Sequence, residues 1–201
     1  MTSQKLPSML RIITNNLSEN EIPYTLIGAF ALNLYGLPMF TAEIDLLTEG
    51  RFWPMISPVM ERLGYTCFHK TKSFAQFDSE LGVYGKVDFM FVNTPEGRDI
   101  LVRSIVIKDE LLGEHLIIQP TDYIILKLMA IANNPDRSSK DEGDIIEVLK
   151  LSKNDLIPED FDILNRDRIY FFAERFGLRK RAKSLLDKVY SDPGTSGTFE
   201  L

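Results

Sequence analysis

Residues 26–47, LIGAFALNLYGLPMFTAEIDLL, hold the pattern from which the rest of the chain is read. An apolar run stops at Gly28, a short amphipathic piece follows, and two acids then stand at alternate positions, Glu43 and Asp45. Tyr24 to Ile27 reads as a strand, and Gly28 permits the tight turn after it. Phe30 to Tyr35 reads as a short helix closed by Gly36, a common residue just past a helix C-terminus. Ala42 to Leu47 is the second strand, with Thr48–Glu49–Gly50 as the turn that follows. Successive side chains of a strand point to opposite faces, so Glu43 and Asp45 share one face and Ile44 and Leu46 the other.

Working outward, Leu6 to Leu17 has helical spacing (Leu6, Leu10, Ile13, Leu17). Arg51 to Leu63 favours helix, with Pro54 and Pro58 giving it a late start or a kink. Tyr65 to Phe68, Ser73 to Phe77, Val87 to Val92 and Leu116 to Ile118 read as strands, and Pro95 to Arg103 as a helix. Beyond Gln119–Pro120 the character changes: Thr121 to Ala132, Lys140 to Leu151, Arg166 to Phe176 and Leu178 to Tyr190 all favour helix. Strands mixed with helices, then helices alone, predict an α+β or α/β chain with a C-terminal helical part. The expected divisions are a core over 1–119, a helical part over 120–190, and a tail over 191–201 whose small polar composition predicts disorder.

Composition narrows the class. The chain has 201 residues, 44% hydrophobic and 26% charged, which is ordinary for a globular protein with a sizeable core. A net charge of −6 argues against a broad surface for coating nucleic acid, while leaving a local basic patch open. A single cysteine, Cys67, excludes an intramolecular disulfide and fits a reducing compartment. With no long apolar segment and no basic-then-apolar N-terminus, the expectation is a soluble cytoplasmic protein with no membrane partner.

In Lys86-Val87-Asp88-Phe89-Met90-Phe91-Val92 the same alternation points Asp88 away from Val87, Phe89 and Phe91. If this strand neighbours Glu43–Leu47, three acids converge, and like charges so close are costly unless a cation neutralises them. Mg²⁺ suits such a cup, because it takes one or two carboxylates together with substrate phosphates. The plainer reading, acids facing water on a one-sided sheet, stays open beside it. Gly28, ending a strand and opening a helix, leaves backbone N–H groups at a positive helix end that suit a phosphate, although such turns are usually structural.

Gly28-Ala29-Phe30-Ala31, Gly36, Thr41 and Glu43-Ile44-Asp45-Leu46, followed by Val87-Asp88-Phe89, resemble the nucleotidyltransferase superfamily, the DNA polymerase β-like fold. The likeness is to its small bacterial members, some of them toxins of toxin–antitoxin and abortive-infection systems. It extends through QPTDYIILKLMAIANNPDRSSKDEGDIIEVLK and covers roughly Tyr24 to Lys150. The resemblance implies an α+β fold with a mixed β-sheet flanked by helices, then a C-terminal helical part. It implies that Glu43, Asp45 and Asp88 are the catalytic acids and hold Mg²⁺ or Mn²⁺, Asp88 also helping to activate the acceptor hydroxyl. Gly28 and Ala29 would hold the nucleotide's phosphates. Lys127 would contact phosphate, with Arg137 and Asp141 or Asp144 completing the nucleotide site. The implied partners are an NTP, an acceptor that is RNA (tRNA), protein or a small molecule, and an antitoxin. Ala29 stands where the family has a second glycine or a serine, Met39 where many small members carry arginine, and Glu43 where aspartate is commoner. These departures favour the alternative of a catalytically impaired member that binds a nucleotide or a protein partner.

The second half has its own reading. Lys127 lies among Ile124, Leu128 and Ile131, so it either snorkels outward or serves an anionic ligand. Lys140 and Asp144, at i,i+4, read as a surface pair, and Arg137 as a loop residue open to phosphate or to water. Arg175, Arg179, Lys180, Arg181 and Lys183 form the one basic run, over Phe171, Phe172 and Phe176 turned inward. It reads as a solvated helix face first and an RNA-contacting face second. His69 and His115 have no partner at metal-ligand spacing, and Trp53, Tyr35 and Phe40 are expected in the core.

Overall fold

A computed structural model describes residues 5–79, 82, 84–110 and 112–191 of the chain. The described residues form two compact units, one within 5–34 and 38–119, the other within 35–37 and 120–191. The first unit is built on a seven-stranded mixed sheet. Its strands are β1 (Tyr24–Leu26), β2 (Glu43–Glu49), β3 (Tyr65–Lys70), β4 (Phe74–Ser79), β5 (Lys86–Val92), β6 (Ile105–Asp109) and β7 (Gly113–Ile117). They lie in the order β3-β4-β5-β2-β1-β7-β6. β2 runs parallel to β5 and β1 parallel to β7; the remaining neighbours are antiparallel.

Alternation builds one apolar face. Ile44 and Leu46 of β2, Val87 and Phe89 of β5 and Ala75 and Phe77 of β4 are all fully buried. Helices α1 (Lys5–Glu19) and α3 (Trp53–Arg62) supply further core residues, Leu10, Ile13 and Leu17 from the first and Ile56, Val59 and Met60 from the second. Burying each such aliphatic side chain stabilises by about 1.5–3 kcal/mol. Pro54 sits in the first turn of α3, where a missing N–H costs nothing, and a short 3-10 turn at Gly50–Phe52 delays the helix. The opposite sheet face near the start of β2 and β5 is less covered: Glu43 is exposed and Asp45 and Asp88 half-buried.

Three expectations about this unit are corrected. Thr48 and Glu49 are not a turn; β2 runs on through both, because each still pairs with β5, Thr48 with Phe91 and Glu49 with Val92. β6 went unread although Ile105-Val106-Ile107 is a β-branched run; it is a short edge strand with no fully buried residue. Phe40 is 94% exposed rather than in the core, on the surface loop between α2 (Gly28–Leu34) and β2. That loop is held by the Asn33 amide, which donates to the Met39 carbonyl at 3.0 Å and accepts from the Met39 N–H at 2.6 Å. The remaining helix, α4 (Pro95–Val102), is capped by Thr94, whose hydroxyl accepts from the Gly97 N–H.

The second unit is helical: α5 (Pro120–Asn133), α6 (Ser138–Lys153), α7 (Arg166–Arg175) and α8 (Arg179–Tyr190). Ile124, Leu128, Ile145, Leu149, Ile169 and Leu186 make its core. Tyr35 belongs here, its ring edge-on to Tyr123 at 5.9 Å and Phe161 at 4.9 Å. Asp122, fully buried at the start of α5, accepts from Arg168 Nε of α7 at 2.8 Å. Phe171 is a further correction: it is 54% exposed while Phe172 is buried, the two lying about 100° apart around α7. In the expected disordered tail, residues 192–201 lie outside the described residues. Among the described residues no helix is long and apolar enough to cross a membrane.

Candidate active site

β2 and β5 lie side by side in parallel register, which sets Asp45 directly beside Asp88 and Glu43 beside Lys86. One carboxylate oxygen from each of Glu43, Asp45 and Asp88 can be chosen so that all lie within 4.8 Å of one another. The first acid is placed by Thr41, whose hydroxyl accepts from the Glu43 N–H at 3.1 Å and donates to the Glu43 carbonyl at 2.9 Å. The sequence contains both acid strands, but only the sheet order makes them neighbours.

Gly28 has a defined part in this arrangement. Its φ of +63° suits glycine, and a Cβ built there would stand 2.1 Å from Asp45 Oδ2. The turn therefore passes against the Asp45 carboxylate, and Ile27 N–H donates to the Asp45 carbonyl at 3.0 Å.

Burial raises the pKa of Asp88 above the ordinary carboxylate value; Gln76 opposes this by donating a hydrogen bond, Glu43 raises it further by like charge, and Lys86 lowers it. Gln76, on β4, lies in register with Asp88, and its Nε2 donates to Asp88 Oδ2 at 2.8 Å. The other oxygen, Asp88 Oδ1, is buried with no hydrogen-bond partner among the described residues. An orphaned carboxylate oxygen beside two more acids, all hard oxygen donors, fits a hard divalent cation such as Mg²⁺. Sequence reading passed over Gln76, although its place between Ala75 and Phe77 in an expected strand already puts it on the non-core face.

The other expected site residues lie in the second unit. Lys127 neither snorkels nor stands free: its Nζ donates to Asp141 Oδ1 at 3.0 Å and Asp144 Oδ2 at 2.6 Å, and lies 5.5 Å from the Tyr123 ring centre. Its side chain is 17% exposed, since two acids on α6 reach it before it reaches solvent. The expected surface pair of Lys140 with Asp144 gives way to this contact: Asp144 turns to Lys127 and Lys140 stays exposed. The side chain of Arg137 lies outside the described residues, its backbone closing a 3-10 turn over Pro135–Arg137. The basic run is in part neutralised, Arg179 pairing with Glu174, Arg181 with Glu142 and Lys183 with Asp187. His69 packs on Phe74, ring centres 5.0 Å apart. His115 is buried with Nε2 at 2.8 Å from the Leu112 carbonyl.

The sequence matches no protein-family model and no curated protein. Solved structures are informative. The solution structure of the antibiotic-resistance factor ANT(2'')-Ia superposes with a TM-score of 0.59 at 13% identity, covering 92% of this chain and 97% of that one. The crystal structure of ANT(2'')-Ia in complex with adenylyl-2''-tobramycin gives 0.58 at 13% identity, covering 87% and 98%. An antigenic nucleotidyltransferase-like protein from Paracoccidioides brasiliensis gives 0.53 at 13% identity, covering 96% and 99%. The chain has the nucleotidyltransferase fold.

Proposed function

We propose that this protein is a Mg²⁺-dependent nucleotidyltransferase that moves NMP from an NTP to a hydroxyl group. The observation that carries the reading is the convergence of Glu43, Asp45 and Asp88 on adjoining strands, with Asp88 Oδ1 buried and unpartnered. Glu43, Asp45 and Asp88 would hold the ion. When bound, it supplies the positive charge that offsets the triphosphate and the crowded acids.

The chain's own groups divide the remaining work. Asp88, which lies in register with Asp45, is the acid to which the family resemblance assigns help in removing the acceptor hydroxyl's proton. The acceptor oxygen then bonds to the α-phosphorus as the α–β phosphoanhydride bond breaks and pyrophosphate leaves. The Gly28–Ala29 turn, whose glycine lies against Asp45, would offer backbone N–H groups to the phosphates, as the family resemblance implies. Lys127, Arg137, Asp141 and Asp144 are proposed as further nucleotide-binding groups on the family resemblance. The ANT(2'')-Ia complex with adenylyl-2''-tobramycin favours an adenylyl group and a small-molecule acceptor; RNA and protein acceptors, and a toxin role with an antitoxin partner, rest on the resemblance alone.

Calorimetric titration of ATP, GTP, CTP and UTP, with Mg²⁺ and with EDTA, tests the reading without knowledge of the acceptor. Mg²⁺-dependent binding of at least one nucleotide is expected, lost in Asp45→Ala without loss of fold. No binding at millimolar nucleotide would overturn it. Binding by wild type without transfer to any acceptor would favour the second reading, a nucleotide-binding member without catalysis. Met39, an uncharged residue where the family often has arginine, supports that alternative.

A further inference from the structure

Gln76 stands beside the proposed cation cup, and its amide makes a direct contact with one of the three acids, Asp88. Its Nε2 donates to Asp88 Oδ2 at 2.8 Å, and the residues face each other across the antiparallel β4–β5 pair. A carboxylate only accepts, so the Gln76 amide must present its NH₂ and not its oxygen to Asp88. The terminal torsion of an aspartate is broad and roughly two-fold, so packing alone holds it poorly. A single charge-assisted hydrogen bond from a neighbouring strand settles which oxygen is occupied and which remains.

We infer that Gln76 is a positioning residue of the cation site: it ties down Asp88 Oδ2 and thereby leaves Oδ1, buried and unpartnered, as the oxygen presented to a divalent ion. The inference rests on the acid cluster being a cation site. Outer groups that orient metal ligands commonly contribute about 10–100-fold to metal affinity. Gln76 is well placed to do so because it sits on a strand interior, half-buried, with Ala75 and Phe77 on either side locked in the core.

The test uses Mn²⁺ alone, titrated into the intact apo protein and followed by the loss of the free-ion EPR signal. Two variants separate orientation from bulk. Gln76→Met keeps length and volume without a donor; Gln76→Asn keeps the amide but falls one methylene short. Both should weaken Mn²⁺ binding about 10–100-fold while still unfolding in one cooperative transition. Should Gln76→Met fail to fold, Gln76→Asn alone decides. Wild-type Mn²⁺ affinity in either folded variant would overturn the inference, while loss of binding in Asp88→Asn would still leave the cation site standing. Absence of Mn²⁺ binding by the wild type would sink the site and the inference together.

Discussion

Gly28 shows how closely the site is built around one residue. Its left-handed backbone and the 2.1 Å approach of a built Cβ to Asp45 Oδ2 forbid a side chain twice over. Gly28→Ala should cost at least about 1–3 kcal/mol from backbone conformation alone. The methyl must also push the Asp45 carboxylate aside. Denaturant unfolding together with Mn²⁺ titration checks this: both stability and ion binding should fall. A variant of wild-type stability would show that the turn can move away from β2. Asp88 differs in kind, since burial and Glu43 make its charge unfavourable in the unliganded protein. With its folded pKa raised, its contribution to stability is full below the unfolded value and is lost as pH rises through the folded one. The Asp88 carboxylate is therefore held in its charged form at the expense of stability.

At the scale of elements, β2 does most to form the site. It is central, pairs with β1 and β5, and carries acids toward one face while Ile44 and Leu46 anchor the other. In the helical unit the corresponding tie is between α5 and α7, where Arg168 reaches the fully buried Asp122. Asn165 caps α7 through its oxygen to the Arg168 N–H at 2.9 Å, and its own N–H donates to Thr121 at 3.0 Å. Arg168→Met removes a charge-assisted hydrogen bond to a fully buried carboxylate, so it should destabilise by about 1.5–3 kcal/mol. Urea denaturation would measure it, and a loss below about 1 kcal/mol would mean that Asp122 finds other compensation.

For the whole molecule, ligand linkage gives the most direct reading. An ion that binds only the folded state at ten times its Kd stabilises by about 1.4 kcal/mol. In a chain of this length that is a rise in Tm of about 3–6 °C. Mg²⁺ should produce such a rise, EDTA should reverse it, and Asp45→Asn should abolish it. An equal rise in that variant would place the ion elsewhere.

Much of this was legible in the residues themselves. Period-2 alternation is a local property of the backbone, so the strand pair Glu43–Leu47 and Val87–Val92 and the outward direction of all three acids could be read directly. Helical spacing likewise exposed the C-terminal helices, because each must bury a stripe. β6 escaped because its apolar run, Ile105 to Ile107, is short, and Phe40 misled because hydrophobicity drives burial only where the backbone leads inward. Tertiary structure alone decided which strands are neighbours, and hence that Asp45 stands beside Asp88 and Gln76 behind it. It also turned Lys127 to Asp141 and Asp144 on another helix. Side-chain direction follows from local geometry, whereas the partner a side chain meets depends on long-range register, which no short stretch of sequence contains.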